Sequence, residues 1–445
     1  MRFTLPVLAP GAFRLWLAFI VFVTHTTPLK LGASAVFLFF ALSGYWIDRM
    51  WHAEYRHVAR PIRTFYLSRI WRIFPVFYAA LALMLFCAAC GWIALPHPSL
   101  TPASGAGADT AASAASATGT VAVLHYYLSH VLLFGYATIT PAWRVIAPLW
   151  SIDVELQFYV VAPLVIWLLD RAWSPKPASD IPHGVAPAAR GDASQKTVGG
   201  RLGPMLLFVV CALGLLHMLL AYRGDDSTIG VLPDYLAFFV AGAWVARRDW
   251  HFSSAQVQGG AAVALAILAI CAAIHPLRGV MFFGSNYGVM SYFNTFANLL
   301  IAVALLPYAM TTTRVRPAGK TVASSAASAT TSAAGPVSAW RRIDRARLDR
   351  LFGALSYEVY LIHGIVLLAV HGRGLLPAGT AARLPWLPLL LVVIVALSLL
   401  VYYVVDQPLE RARRRWVRVQ PGYPSRHAAA HAGTPDTLVP PPTLR

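Results

Sequence analysis

The sequence predicts an all-α polytopic membrane protein with about ten transmembrane helices and both termini in the cytoplasm. Hydrophobic residues make up 58% of the 445-residue chain, charged residues only 12%, and the mean hydropathy is +0.60. Ordinary soluble domains carry about 25% charged residues, and a soluble fold of this composition would expose too much apolar surface to water. The net charge of +18 is concentrated between the apolar runs, which favours a membrane topology over nucleic-acid binding as its explanation.

The individual spans are predicted from apolar runs, because a helix of about 20 apolar residues crosses a bilayer. Ten runs approach this length and are separated by polar or charged segments. They cover residues 12–29, 31–48, 73–95, 147–169, 204–222, 229–246, 258–275, 289–310, 352–371 and 386–405.

The side on which each connection lies follows from its lysines and arginines, which cluster on the cytoplasmic side of membrane proteins. Segment 49–72 carries six arginines and is predicted to be cytoplasmic, whereas 96–120 has no lysine or arginine and is predicted to lie outside. Segment 170–203 has five basic residues, 311–350 has eight and the chain after 405 has seven, so all three are predicted to be cytoplasmic.

An eleventh apolar run, 121–139, is interrupted by His125, Tyr126, Tyr127 and His130. Only one crossing fits between an outside residue 120 and a cytoplasmic residue 170. We therefore expect 147–169 to cross, and 121–139 to be re-entrant or to lie at the outer surface.

Ionisable residues inside spans are costly and mark candidate functional positions. His25 lies in the outer half of the first span, and Arg14 lies three helical turns earlier on the same face, near the cytoplasmic end. A neutral imidazole is able to take a proton from a hydroxyl near pH 7. The alternative for His25 is a histidine that only satisfies its own packing.

The second and third spans carry two further patterns. Ser43-Gly44, at the end of the run Phe39-Phe40-Ala41-Leu42-Ser43-Gly44, predicts close approach of another helix. Arg69 and Arg72 share a helix face at the predicted cytoplasmic edge, where their planar donors suit phosphate. The alternative for the two arginines is an anchor on the positive inner side.

Two later spans carry the remaining candidates. Glu155 precedes Tyr159 in the fourth, where its carboxylate would orient His25, bind a sugar hydroxyl or pair with a buried arginine or tyrosine. Tyr360 and His363 share a helix face in the ninth, with a self-satisfied packing pair as the alternative. His217 and Asp234 are isolated, and we expect structural roles for them. The sequence shows no metal-ligand cluster, phosphate-binding glycine loop or nucleophile elbow.

Taken in order, these patterns resemble the membrane-bound acyltransferases of acyltransferase family 3, which O-acylate bacterial glycans. The resemblance covers residues 11–410. Its matching motifs are Arg14-x10-His25, Phe39-Phe40-x-x-Ser43-Gly44, Arg69-x-x-Arg72-Ile73-x-Pro75, Trp150-Ser151-x-x-x-Glu155-x-x-Phe158-Tyr159 and Ser356-Tyr357-x-x-Tyr360-Leu361-x-His363.

The resemblance implies transfer of an acyl group, usually acetyl, from cytoplasmic acyl-CoA to a hydroxyl of an extracytoplasmic glycan or glycolipid. His25 matches the family's catalytic histidine, and Arg14, Arg69 and Arg72 match arginines of the donor side. Glu155 is a second catalytic candidate, and Ser43, Tyr159, Tyr360 and His363 are further candidates. The expected cosubstrate is acyl-CoA, with no bound cofactor and no metal.

One departure concerns Glu155, because the family usually has two adjacent acidic residues there, whereas Leu156 follows Glu155 and Asp153 lies two before it.

We expect a stand-alone membrane unit over residues 11–410 in a bacterial inner membrane, followed by a basic, disordered cytoplasmic tail over 411–445. A transporter or flippase for a lipid-linked glycan is the competing class. The acceptor, the acyl group, the oligomeric state and the choice between direct transfer and an acyl-enzyme stay open.

Overall fold

The chain forms a bundle of helices in the computed structural model. The structure describes residues 6–95, 123–139, 144–146, 148–173, 193–221, 231–282, 291–314, 345–377 and 380–424. Within these ranges the regular secondary structure is helical throughout, which confirms the predicted all-α class.

Fourteen α-helices are numbered in chain order within the described ranges, and the fourth, α4, covers residues 123–132. The others are α1 Pro10–Thr26, α2 Gly32–Ala53, α3 Pro61–Ala89, α5 Leu149–Trp173, α6 Ala193–Ala221, α7 Leu232–Arg248, α8 Ser254–Ala273, α9 His275–Phe282, α10 Ser291–Thr312, α11 Arg345–Gly372, α12 Thr380–Arg383, α13 Leu387–Val401 and α14 Gln407–Arg418.

Each of the ten predicted spans corresponds to one of these helices. Seven helical stretches are long and apolar enough to cross a membrane, and they fall in α3, α5, α6, α8, α10, α11 and the continuous stretch of α13 and α14. The other three predicted spans correspond to α1, α2 and α7. Helices α1 and α7 have 17 residues each, slightly fewer than the roughly 20 that a straight crossing needs. The polytopic class is therefore confirmed, while the number ten stays a prediction.

The helices alternate in direction, so their ends fall into two groups. Asp48, near the end of α2, pairs with Arg247 at the end of α7, with 2.5 Å between oxygen and nitrogen. Ala59, before α3, donates its N–H to the carbonyl of Pro421, after α14. We call this the inner end, because the basic segments 49–72 and 311–350 adjoin it, and we call the opposite end the outer end.

Helices α2 and α7 cross closely at a pair of glycines. A Cβ on Gly44 would lie 1.9 Å from the carbonyl oxygen of Phe239, and a Cβ on Gly242 would lie 1.8 Å from that of Ala41. Only residues without side chains permit this approach. The expected close contact at Ser43-Gly44 is therefore confirmed, with α7 as the partner helix.

The segment 121–139 is not one continuous helix where the structure describes it. Helix α4 has ten residues, about 15 Å, and a 3₁₀ turn follows at Tyr136–Thr138. The hydroxyl of Tyr78, in α3, donates to the carbonyl of Val131 at 3.1 Å. A helix this short spans only about half of a hydrocarbon core, as expected for a segment that does not cross.

The chain after α13 continues as a helix. A π-helical turn at Tyr402–Asp406 joins α13 to α14, which ends at Arg418. The predicted tail starts at residue 411, but its first residues belong to α14. The remainder of the predicted tail, from residue 425, lies outside the described residues.

Candidate active site

A cavity of about 250 Å³ lies between α1, α2, α3, α5 and α11. Arg14, Arg69 and Arg72 all line it, although they come from two helices far apart in sequence. The N-terminus of α1 is fixed by Asp349 of α11, whose carboxylate accepts hydrogen bonds from the backbone N–H groups of Gly11 and Ala12 at 2.8 and 3.1 Å. The fold therefore assembles a three-arginine cavity toward the inner end, which we call the arginine cavity.

Arg69 is the most tightly held of the three arginines. Its side chain is buried, and Nη2 donates to the hydroxyl of Tyr55 at 3.1 Å. The guanidinium also lies 5.5 to 5.7 Å from the ring centroids of Tyr55, Phe65 and Tyr159. Cation–π contacts and a planar hydrogen bond fix its orientation.

Glu155 lies in the arginine cavity. Its Oε1 accepts hydrogen bonds from the hydroxyls of Ser43 and Tyr159, each at 2.5 Å. The carboxylate also interacts electrostatically with Arg14. Glu155 therefore offsets part of the positive charge of the cavity and joins α2 to α5.

A second cavity, of about 260 Å³, lies toward the outer end of the bundle, and we call it the histidine cavity. His25 lines it, together with His371, Arg144, Arg383 and a group of leucines. The His25 side chain is exposed one residue before the end of α1, and it faces this cavity. A substrate that enters from the outer end would therefore reach the imidazole.

His363 and Tyr360 separate the two cavities. The His363 ring is fully buried, and its centroid lies 5.4 Å from that of His25 and 5.9 Å from that of Tyr360. Tyr360 lines the arginine cavity, and its hydroxyl hydrogen-bonds with that of Ser151 at 2.6 Å. A row of three side chains thus connects the two cavities.

Two hydrogen bonds of Tyr136 hold the described part of the loop before α5 together. The hydroxyl of Tyr136 donates to the carbonyl of Ile146 and accepts from its N–H. Burial raises the pKa of Tyr136 well above its ordinary value, so the hydroxyl stays a donor. Asp153 accepts from the backbone N–H groups of Gly135 and Ala137, which makes Asp153 a structural partner of this loop.

The candidate residues divide between the two cavities. Glu155 and His25 line different cavities, so the geometry favours a position of Glu155 beside the three arginines over the suggested role of orienting His25. The isolated candidates His217 and Asp234 pair with each other at 2.7 Å.

The hydroxyls of Ser43, Tyr159 and Tyr360, which the sequence suggests as candidates, already have hydrogen-bond partners. Those of Ser43 and Tyr159 donate to Glu155. The hydroxyl of Ser151 donates to the carbonyl of Pro148 at 3.1 Å, which leaves Tyr360 as the donor in their mutual bond. In this arrangement all three hydroxyls hold neighbouring groups in place.

Sequence reasoning missed Arg144, Arg383 and Asp349. All three lie near helix ends, outside the predicted spans, where a charged residue has no signal beyond its topological one. An intramembrane position singles out His25 from the sequence, but no such signal distinguishes these three from other charges in the connections.

Comparison with known proteins identifies the family of the chain. The family model described as "Acyltransferase domain", of acyltransferase family 3, matches residues 4–403. No curated protein and no solved structure matches the chain. The family match includes every candidate residue named from the sequence and covers far more than half of the chain. The chain therefore belongs to acyltransferase family 3, a family of membrane acyltransferases.

Proposed function

We propose that this protein is an O-acyltransferase that moves an acyl group, acetyl in the simplest case, from cytoplasmic acyl-CoA to a hydroxyl of an extracytoplasmic glycan or glycolipid. The observation that carries the proposal is the pair of cavities on either side of His363 and Tyr360. A transporter needs a path that substrate passes through, whereas this arrangement offers two compartments with a histidine at their boundary. Family membership also favours an acyltransferase over a transporter.

The donor side is assigned to the arginine cavity. Coenzyme A carries several phosphate charges, and guanidinium groups bind phosphate through paired, charge-assisted hydrogen bonds. Arg14, Arg69 and Arg72 supply three such groups in one cavity. The cavity lies toward the inner end, which we expect to face the cytoplasm from the distribution of basic residues, and acyl-CoA is found there.

The transfer itself is assigned to His25. The imidazole removes the proton from the acceptor hydroxyl as its oxygen attacks the thioester carbonyl carbon. A new C–O bond forms, the C–S bond breaks, and the proton taken by His25 passes to the departing CoA sulfur. The products are the ester and free CoA, so His25 returns to its neutral form after each turnover.

His25→Ala tests this assignment. Loss of a general base costs about 10²- to 10⁴-fold in rate, so we expect CoA release from acetyl-CoA by membranes supplied with extracted surface glycan to fall by that factor. The protein level in the membrane should not change. His275→Ala is the matched control, because His275 is exposed at the start of α9 and contributes to neither cavity.

The acceptor is tested separately, by mass spectrometry of surface glycans from cells with and without the protein. We expect an added acyl mass, 42 Da for acetyl by its chemical formula, only in cells that produce the active protein. Full CoA release by His25→Ala would remove His25 from the mechanism. Identical glycan masses together with impaired glycan export would instead support the transporter.

A further inference from the structure

The histidine cavity has an unusual charge composition. Every ionisable side chain that lines it is an arginine or a histidine: His25, Arg144, His371 and Arg383. Among the described residues, no aspartate or glutamate lines it. The arginine cavity differs in this respect, because Glu155 lies among its three arginines.

Both arginines are positioned by backbone carbonyls. Arg144 donates from Nη2 to Ala137 at 2.6 Å and from Nε to Ile139 at 3.3 Å. Arg383 donates from Nε to Pro377 at 3.0 Å. Both side chains are partly buried, so their guanidinium groups have restricted orientations. A fixed guanidinium with a planar set of donors suits phosphate or carboxylate.

The rest of the wall strengthens this preference. Leu367, Leu368, Leu376, Leu387 and Leu390 line the same cavity. Apolar surroundings lower the local dielectric, which makes attraction between opposite charges stronger than in water. A ligand that brings a negative charge would therefore gain more here than one that is neutral.

We propose that the acceptor carries an anionic group, a phosphate or a carboxylate, which Arg144 and Arg383 bind while a neighbouring hydroxyl faces His25. This inference rests on the proposed function, since it assigns the histidine cavity to the acceptor. The chemical class of the acceptor is thus a sugar phosphate or an acidic sugar, on a lipid carrier or within a glycan.

Binding without acyl donor tests this proposal independently of catalysis. The full chain in a phosphate-free detergent is titrated with glucose 1-phosphate, glucuronate and glucose, and the dissociation constants are taken from thermal shifts. We expect at least one charged probe to bind roughly tenfold to a hundredfold more tightly than glucose, as charge-assisted hydrogen bonds would give. A preference for glucose 1-phosphate indicates a phosphate, and a preference for glucuronate indicates an acidic sugar.

Variants of Arg383 locate the effect. Arg383→Gln should remove most of the preference for the charged probe, and Arg383→Lys should retain part of it. Arg144→Gln should act like Arg383→Gln if it reaches the membrane folded. The matched control is Arg373→Gln, because Arg373 is exposed and lines a different cavity toward the same end.

Equal binding of all three probes would overturn the inference, as would a charge preference that Arg383→Gln leaves intact. Neither result touches the proposed acyl transfer, which CoA release measures separately. Conversely, a charge preference that depends on Arg383, in a protein that releases no CoA, would leave the anion site standing and would count against the acyltransferase assignment.

Discussion

His363 uses one ring nitrogen for its own helix, and its ring lies beside that of His25. Its Nδ1 lies 3.0 Å from the carbonyl of Val359, so Nδ1 carries the hydrogen. Among the described residues, none hydrogen-bonds to Nε2, although it is fully buried. A buried acceptor without a partner costs free energy, and such a cost is often retained where it serves function. We infer that His363 is a positioning residue for His25.

His363→Asn tests this role, because asparagine retains a donor near the Nδ1 position and lacks the Nε2 acceptor. We expect kcat to fall by roughly tenfold to a hundredfold, the equivalent of about 1–3 kcal/mol, with little change in KM for acyl-CoA. The measurement is the kinetics of CoA release, with thermal stability followed alongside. Near-normal kcat in a stable His363→Asn protein would show that His363 only completes the packing of α11.

At the residue scale, the sequence identifies the candidates better than it groups them. Arg14 and His25 are both predicted from the first span, and the structure places them in different cavities. Their spacing predicts this separation, because eleven helical residues cover about 16 Å. The position of Glu155 has no such local signal, since it depends on how α5 packs against α2. Only the tertiary structure brings Ser43 to that carboxylate.

The crossing of α2 and α7 positions part of the arginine cavity. Phe39, Phe40 and Ser43 of α2 line that cavity, and Gly44 contacts the backbone of α7 directly after them. Gly44→Ala would place a methyl group inside that contact and push the helices apart. Overpacking costs about 1–3 kcal/mol, so we expect a lower midpoint of thermal unfolding and weaker donor binding.

Gly259→Ala is the control for this change. Gly259 lies in α8, and a Cβ there meets no atom within 4 Å. Alanine is also the better helix former, by about 0.5–1 kcal/mol, so this variant should be at least as stable as the parent. If Gly44→Ala were as stable as Gly259→Ala, the close crossing would have no role in fixing α2.

Helix α14 supports the arginine cavity, although it lies after the family match, which ends at residue 403. Arg413 pairs with Glu410 through two bonds of 2.7 Å and donates to the hydroxyl of Ser68 at 2.5 Å. Ser68 in turn hydrogen-bonds with Tyr55 at 2.8 Å, and Tyr55 accepts from Arg69. A continuous set of polar contacts thus connects α14 to an arginine of the cavity.

Arg413→Gln should therefore loosen Arg69. Losing the charge-assisted bonds costs about 1.5–3 kcal/mol each, and we expect a higher KM for acyl-CoA, a lower unfolding midpoint and unchanged affinity for acceptor. Arg415→Gln on the exposed side of the same helix is the control. An unaltered KM in Arg413→Gln would limit α14 to a role outside the donor site.

At the scale of the whole molecule, charge and hydropathy predict most of the architecture. Every predicted span has a helix, and the helix ends segregate as the basic residues indicate. The two cavities have no equivalent sequence signal. They arise where α11, which packs along α1 and contacts α3 and α13, brings Tyr360 and His363 between groups from several other helices. Long-range packing of this kind does not follow from the periodicity of any one segment.

The orientation of the bundle decides whether the arginine cavity faces cytoplasmic acyl-CoA, and the segment between residues 110 and 185 is its most sensitive part. One crossing between them, by α5 alone, puts these positions on opposite sides of the membrane. A second crossing through 121–139 would put them on the same side, but ten helical residues reach only about 15 Å of a core roughly 30 Å thick.

Reporter fusions distinguish the two cases. We expect alkaline phosphatase to be active when fused at residue 110 and a fluorescent protein to be bright when fused at residue 185, with the reverse fusions silent. The control is a pair of fusions at residues 185 and 330, which should report the same side because both segments are rich in basic residues. Activity of the same reporter at both 110 and 185 would contradict the topology. It would also remove the argument that donor and acceptor approach His25 from opposite faces, because the arginine and histidine cavities could then no longer be assigned to the two sides by charge.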